Sequence, residues 1–511
     1  MLLAAGAPTS IDPALGTAPD VAFATCAFLY NYPDRPFPEG SRLRPEVAAG
    51  EPHVSEDGRT YRFRIRPGFR FSPPSNEPVT AAAFKRTLER VLNPKINAYD
   101  RQAARDISGA DDYLAGRTKR LSGVSARDGT LVIRLTKPMP DLLARLASPA
   151  FCAVPRGTPR NAEAVDPVPS AGPYYVDSYT PERSLVLRRN PNYGGDRPQG
   201  LEEIRFEYGV PVERGVKEVE AGRADSVALQ PGEGAAQVSA KVEQRLEARY
   251  GPGSEAAQAG RQQLFTQDTP AMDSYVFNTH RGPFADPRLR RAVNYAIDRP
   301  ALAVDTGFGF RGKPTDQYIP PGIPGFEDEA IYPLDGPDLA AARRLAGDER
   351  HHALLYTCEL PGCTQDAQIL RSNLEAIGID LEVREFPVEE FFRTILGTGR
   401  QWDLASWGWA VDYVDPSDFI NNQFGPGAEH PGGFRDPGLW RRMAAASRLT
   451  GEARLRAYAR LDRELAERAA PAAAFASTTQ TYFLSASIGC QVPHPIYGLD
   501  LAALCVRDEA Q

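Results

Sequence analysis

From about residue 270 onward the chain alternates short apolar runs with amphipathic segments of helical period, and no other feature constrains the fold as strongly. "DSYVFNT" reads as a strand and "DPRLRRAVNYAID" as a helix, with Asp286 as N-cap and Pro287 at its first position. "HHALLYTC" is again a strand, "TQDAQILRSNLEAIG" a helix ended by Gly378, "IDLEVREF" a strand and "VEEFFRTIL" a helix. Strands alternating with helices imply crossover connections and parallel pairing. The expectation is an α/β architecture with parallel sheet, in which ligands sit at the carboxyl ends of strands.

The next strand in this series lies in "WDLASWGWAVDYVDPSDF", Trp402 to Phe419, which holds three of the four tryptophans. Aspartates at 403, 412, 415 and 418 are interleaved with them. Trp407 and Trp409 alternate with Ser406 and Gly408, so on a strand both indoles point to one face, while the glycine lets another backbone approach. Aromatic faces beside a carboxylate suit a ligand that is part apolar and part cationic. The competing reading is that the tryptophans fill a core and the aspartates cap the next helix.

The first half has a different grammar. "EDGRTYRFRIRPGFRFS" alternates Tyr61, Phe63 and Ile65 with arginines and turns at Pro67-Gly68, which predicts a half-buried hairpin. Thr80 precedes the helix "AAAFKRTLERVL", and "GTLVIRLTKP" supplies a further strand pair. Between 155 and 170 proline and small residues dominate, after which "SAGPYYVDSYTPERSLVLRRNPNY" resumes the strand pattern, as if returning from an inserted subdomain. "VERGVKEVEAG" is a helix and "ADSVAL" a strand; 230 to 263 reads as loop with one helix. Two helices near 437 to 448 and 452 to 469 precede the strand-like "FASTTQTYFLSAS".

At 511 residues the chain is too long for one core. Its net charge of −7 and the lack of any Lys/Arg-rich block exclude a nucleic-acid partner. No window is apolar enough for a spanning helix, and "MLLAAGAPTSIDPA" carries no signal peptide, so a targeting segment has been removed or the chain is cytoplasmic or a fragment. The six cysteines form no CxxC pair. Cys358 with Cys363, in "CELPGC", could close a small disulfide, and Cys490 with Cys505 could tie down the C-terminal tail; both need an oxidising compartment, and in the cytoplasm all six would be free thiols.

"GFGFRGKP", Gly307 to Pro314, has the spacing of a phosphate-binding loop, but Pro314 replaces the required hydroxyl residue. The six histidines show no metal-ligand spacing and read as surface or capping residues. No nucleophile elbow is present, and nothing fixes the aspartates of the tryptophan segment as an acid/base pair. The reading is a chain with no catalytic residues, no metal and no cofactor.

Taken in order, "SIDPAL" with "RLRPEVAAGEPHVSEDGRTYRFRIRPGFRFS", then "PVTAAAFKRTLERVLNP", "PSAGPYYVDSY", "EVEAGRADSV", "FNTHRGPFADPRLRRAVNYAIDR" and "LEAIGIDLEVRE" resemble successive motifs of the family 5 extracellular solute-binding proteins. These are the peptide- and nickel-type receptors of ABC importers. The resemblance implies a two-lobed, type II periplasmic-binding-protein-like α/β fold with an extra inserted subdomain and hinged lobes around a central cleft. Residues 1–40, 168–268 and 480–511 would form lobe I, 41–167 its inserted subdomain and 269–479 lobe II. Hinge strands would lie near 268 to 279 and 474 to 484.

The resemblance further implies a monomer that captures a peptide or other small solute and presents it to a membrane permease. It would sit outside the cytoplasm, lipid-anchored in its full-length form. In peptide-binding members a "GW-x-x-DY" strand pairs with the ligand backbone and its aspartate takes the ligand ammonium. Here that segment is Gly408-Trp409-Ala410-Val411-Asp412-Tyr413. Trp407, Gly408, Trp409 and Ala410 become the expected contact edge and Asp412 the expected anchor, with Tyr30 and Asn31 as further candidates. Ser406 stands where some members carry an arginine, so a ligand carboxylate cannot be met there. The alternative is a sensor module of a larger regulatory protein built on the same fold.

Overall fold

The computed structural model describes residues 1–4, 6–15, 18–159, 167–229, 238–304, 311–397, 399, 401–428 and 430–507. Parts of the segments 155–170 and 230–263, and Gly307 to Phe310 of the apparent phosphate loop, lie outside the described residues. The chain forms two units. One runs to Leu229 and takes in the segment ending at Gln267 and the C-terminal segment from Thr481; the other is Asp268–Gln480. The chain passes from one to the other within two long strands, Leu264–Phe277 and Ala472–Leu484.

In the second unit the strand order is Ile379–Phe386, His351–Cys358, Leu404–Ala410, Leu264–Phe277, Ala472–Leu484. The first three pair in parallel, each joined to the next in sequence by a helical crossover. Leu264–Phe277 runs antiparallel to Leu404–Ala410, so the sheet is mixed and not purely parallel. Helices Pro287–Ala296 and Pro361–Glu375 cover it, packing Leu289, Val293, Leu370 and Leu374 with Phe277, Leu355 and Leu404. The Asp286 carboxylate accepts from Arg288 N at 2.8 Å and caps the first of these helices. The buried Arg290 in that helix donates from Nη2 to the Ala469 carbonyl at 2.6 Å and from Nε to Ala470 at 3.1 Å, satisfying carbonyls at the end of the last helical segment. Arg311–Pro314 is a strand pairing with Ala472–Leu484, and Lys313 Nζ lies 2.6 Å from Asp268 Oδ1, so this lysine is held in a sheet.

In the first unit one sheet contains Ser226–Ala228, Leu2–Leu3, Glu203–Glu207, Ser184–Arg189 and Tyr174–Thr180, with the end of Ala472–Leu484 beside the first of these. A second sheet has the order His53–Val54, Thr60–Arg64, Thr130–Arg134, Val124–Arg127, and helix Ala81–Val91 contributes Phe84 and Leu88 to its core. Val124–Arg127 and Thr130–Arg134 are joined by Asp128-Gly129, both at positive φ (48° and 71°), the combination a tight hairpin demands.

Two sequence expectations are corrected. Tyr61 and Phe63 are buried and Arg62 and Arg64 exposed, as the alternation requires, but the strand does not turn back at Pro67-Gly68. Thr60–Arg64 pairs with His53–Val54 and Thr130–Arg134, while Phe69 and Phe71 pair with the segment 77–79. Nor are all histidines superficial: His430 and His494 are buried. His494 stacks on Tyr497 at 3.9 Å, and burial pulls its imidazole down to about 4, so it is neutral at physiological pH.

All six cysteines pair, as Cys26–Cys152, Cys358–Cys363 and Cys490–Cys505. The first joins positions 126 residues apart, a pairing that spacing alone could not reveal. Among the described residues no helix is long and apolar enough to cross a membrane.

Candidate functional site

The tryptophan strand, Leu404–Ala410, pairs over its whole length with Leu264–Phe277, but its ladder with His351–Cys358 covers only Leu404 and Ala405. Which backbone groups this leaves facing outward follows from two hydrogen bonds. Val411 N donates to Pro270 O and Asn278 N donates to Asp403 O, both at 2.9 Å. In an antiparallel pair successive residues point their N–H and C=O to opposite sides, so the odd-numbered residues from 405 to 411 turn toward Leu264–Phe277, as does the Asp403 carbonyl, while the Asp403 N–H donates to Leu354 O. The main-chain groups of Gly408 and Ala410 therefore point to the side where no described strand pairs with them. Trp409, in contrast, faces Met272.

Side chains sort by the same alternation. Ser406 and Gly408 share a face with their cross-strand partners Tyr275 and Asp273, and the Ser406 and Thr357 hydroxyls lie 2.8 Å apart. Burial, then the carboxylates of Asp366 and Asp273, push the Tyr275 phenol well above its ordinary pKa and keep it protonated. On the other face Trp407 and Trp409 are both buried, their rings 6.4 Å apart. Trp407 Nε1 donates to Gln423 Oε1 at 3.3 Å, and the His430 ring meets its edge at 6.2 Å.

Gly408 has its own reason. A Cβ there would come within 2.6 Å of Asp273 Oδ1, so what occupies the space above this glycine is a carboxylate of the neighbouring strand, not a second backbone.

The aspartates divide by partner. Asp403 is buried, its Oδ2 accepting from Leu354 N at 2.9 Å and its Oδ1 from Arg281 Nη1 at 3.0 Å. Asp415 caps helix Pro416–Phe424 through Ser417 N and receives both Nε and Nη2 of Arg454, at 2.9 and 2.7 Å. Asp418 is fully buried and accepts from Asp412 N and Asn422 Nδ2, both at 2.8 Å. These three shape the turn and the helix. Asp412 is half-buried just past the strand end, its backbone fixed by Asp418.

Trp407, Gly408, Trp409, Ala410 and Asp412 are thus brought together in the second unit. Tyr30 and Asn31 belong to the first, where both are buried: Tyr30 Oη donates to Gly50 O at 2.7 Å and Asn31 Oδ1 accepts from Arg44 Nε at 3.4 Å. Sequence reasoning missed Asp273, Gln423 and His430. Asp273 lies 135 positions from its partner Gly408, and no spacing rule reaches that far. Among the described residues no cluster of three His, Cys, Asp or Glu side chains could hold a metal ion.

Residues 42–430 match the bacterial extracellular solute-binding proteins, family 5 Middle. The chain belongs to this family. Like other family 5 solute-binding proteins it is a binding protein and not an enzyme, and the fold agrees. It superimposes on the clavulanic acid biosynthesis oligopeptide binding protein 2 with a TM-score of 0.85 at 24% identity, over 99% of this chain and 95% of that one. Among relatives, the di/tripeptide-binding protein 2 of Pseudomonas aeruginosa (strain UCBPP-PA14) is 24% identical over 442 residues, 82% of this chain and 77% of the relative. The probable deoxycholate-binding periplasmic protein YgiS of Escherichia coli (strain K12) is 25% identical over 413 residues, 75% of this chain and 70% of its own length.

Proposed function

We propose that this family 5 protein is the solute receptor of an ABC-type importer and that its solute is a peptide or peptide-like molecule, which it hands to a membrane permease. The observation that carries the reading is the unpaired strand edge at Gly408 and Ala410, beside two tryptophans and next to Asp412. An extended peptide satisfies such an edge by adding as one more strand. The indoles then offer apolar contact to its side chains, and the Asp412 carboxylate takes its α-ammonium in a charge-assisted bond of about 1.5–3 kcal/mol. Relatives named for dipeptides and tripeptides support a peptide over other solutes.

In this reading lobe I is 1–40, 168–268 and 480–511 with 41–167 inserted, lobe II is 269–479, and hinge rotation in the two connecting strands accompanies capture. The protein works as a monomer outside the cytoplasm, lipid-anchored in its full-length form. The sensor-module alternative is not favoured, since the relatives are themselves solute-binding proteins.

Native mass spectrometry of the purified protein, with thermal-shift measurements across a library of short peptides, tests the proposal. A retained or added peptide that raises the melting temperature is expected. Absence of both a bound peptide and any shift would remove the peptide version of this reading.

A further inference from the structure

Every charged side chain on the outward face of the four-stranded sheet in the first unit is basic. Register fixes which residues share it: Tyr61 and Phe63 point into the core, so Arg62 and Arg64 point out, and with them Arg134 and Arg127 from the two neighbouring strands. All four arginines are exposed, and among the described residues none takes part in an ion pair. Other exposed arginines, Arg188, Arg205, Arg223, Arg245 and Arg288 among them, meet a carboxylate; what sets this face apart is that four arginines without one share a single sheet surface. The remaining outward positions are Thr60, Thr130, Val132, Ser125 and His53, so the face has no negative charge of its own. Acidic residues lie at its margins: Glu56 and Asp57 in the turn at one end, Asp128 in the turn at the other, and Glu51 just before the edge strand.

Strand geometry gives the spacing. Arg62 and Arg64 emerge about 7 Å apart along one strand, and Arg64 and Arg127 flank Thr130 across about 10 Å. Four like charges at this distance repel one another, and ordinary surfaces avoid this by interspersing both signs. The chain as a whole carries a net charge of −7, so this face is a local reversal of the protein's field.

We propose that this face docks on the anionic phospholipid headgroups of a membrane surface. A guanidinium fork matches phosphate oxygens in two-point geometry, and a flat array of forks matches a plane of phosphates. A specific protein partner would instead require a desolvated apolar centre, and this face offers only Val132, itself 8% exposed. Association through four charges is weak, reversible and salt-sensitive, and it turns one face of an otherwise acidic protein toward the bilayer. The inference does not depend on the identity of the solute.

The test is co-sedimentation of the full chain with vesicles of phosphatidylcholine containing about one third phosphatidylglycerol, against vesicles of phosphatidylcholine alone. Binding to the anionic vesicles only, and its loss at about 0.5 M salt, are expected. Arg62→Gln with Arg64→Gln should weaken that binding about 25-fold, at about fivefold per charge, with the melting temperature unchanged. Arg288→Gln with Arg384→Gln, which removes two paired arginines of the other unit, should leave it within about twofold. Equal binding to both vesicle types, or undiminished binding by the first variant, overturns the proposal. So does failure to bind anionic vesicles while polyglutamate beads retain the protein, which would assign the face to an acidic protein partner.

Discussion

Gly408 faces Asp273 across the strand pair so closely that a Cβ at position 408 would lie 2.6 Å from the Asp273 carboxylate oxygen. The site strand is therefore locked to its neighbour by the absence of a side chain. Gly408→Ala is expected to cost about 1–3 kcal/mol, because a buried carboxylate must move aside. Adding Asp273→Ala should recover part of that loss. Urea unfolding of both single variants and the double variant measures the coupling, and strictly additive effects would mean the two positions do not meet.

A second prediction concerns Asp34 and Asp500, whose carboxyls hydrogen-bond to each other beside the buried Arg197. Burial works to raise Asp34, but Arg197 at 3.1 Å outweighs it and holds this carboxyl below the usual range. Asp500, 3.7 Å from Arg197, is lifted by burial to about 7, and Asp34 adds to the shift. The unfolded chain releases the Asp500 proton near pH 4, whereas the folded protein keeps it to about 7. Across that window the folded state binds the extra proton, so this group's contribution to stability falls as pH rises. Asp500→Asn mimics the protonated form and can donate to Asp34. Relative to wild type it should gain more than about 1 kcal/mol between pH 5 and pH 8, as read by chemical unfolding at both pH values. A pH-independent difference would contradict the shared proton.

Much of this architecture was legible in the sequence, for local reasons. The strands His351–Cys358 and Ile379–Phe386, the cap at Asp286 and the helix Val388–Leu396 follow from periodicity and end signals within a few residues. What could not be read depended on partners distant in the chain. The false hairpin at Pro67-Gly68 had acceptable turn chemistry, but Thr130–Arg134 offers Tyr61 and Phe63 a better neighbour. His494 looked superficial until Tyr497 and the Pro33 carbonyl enclosed it. In the site itself, the clustering of Trp407 and Trp409 was visible, but the outward direction of Gly408 and Ala410 emerged only from the register with Leu264–Phe277.

The disulfides yield a third prediction through loop length. Cys26–Cys152 closes 126 residues and Cys358–Cys363 only 5. If cross-links act by restricting the unfolded chain, removing the first as a Cys26→Ser, Cys152→Ser pair costs about 5 kcal/mol and removing the second about 2 kcal/mol. Equilibrium unfolding of the two variants gives the order, and a larger loss from the short loop would mean that native-state strain or packing outweighs chain entropy.

The central claim is that a peptide adds to the Gly408–Ala410 edge with its amino end at Asp412, and calorimetric titration with a peptide and its N-acetylated form tests it most directly. The account predicts saturable binding of the free-amine peptide and affinity at least about tenfold weaker for the acetylated one, the equivalent of one charge-assisted bond. With Asp412→Asn the two affinities should converge. Equal affinity of the wild-type protein for both peptides would contradict the anchor, and absence of binding by any peptide would contradict the account as a whole.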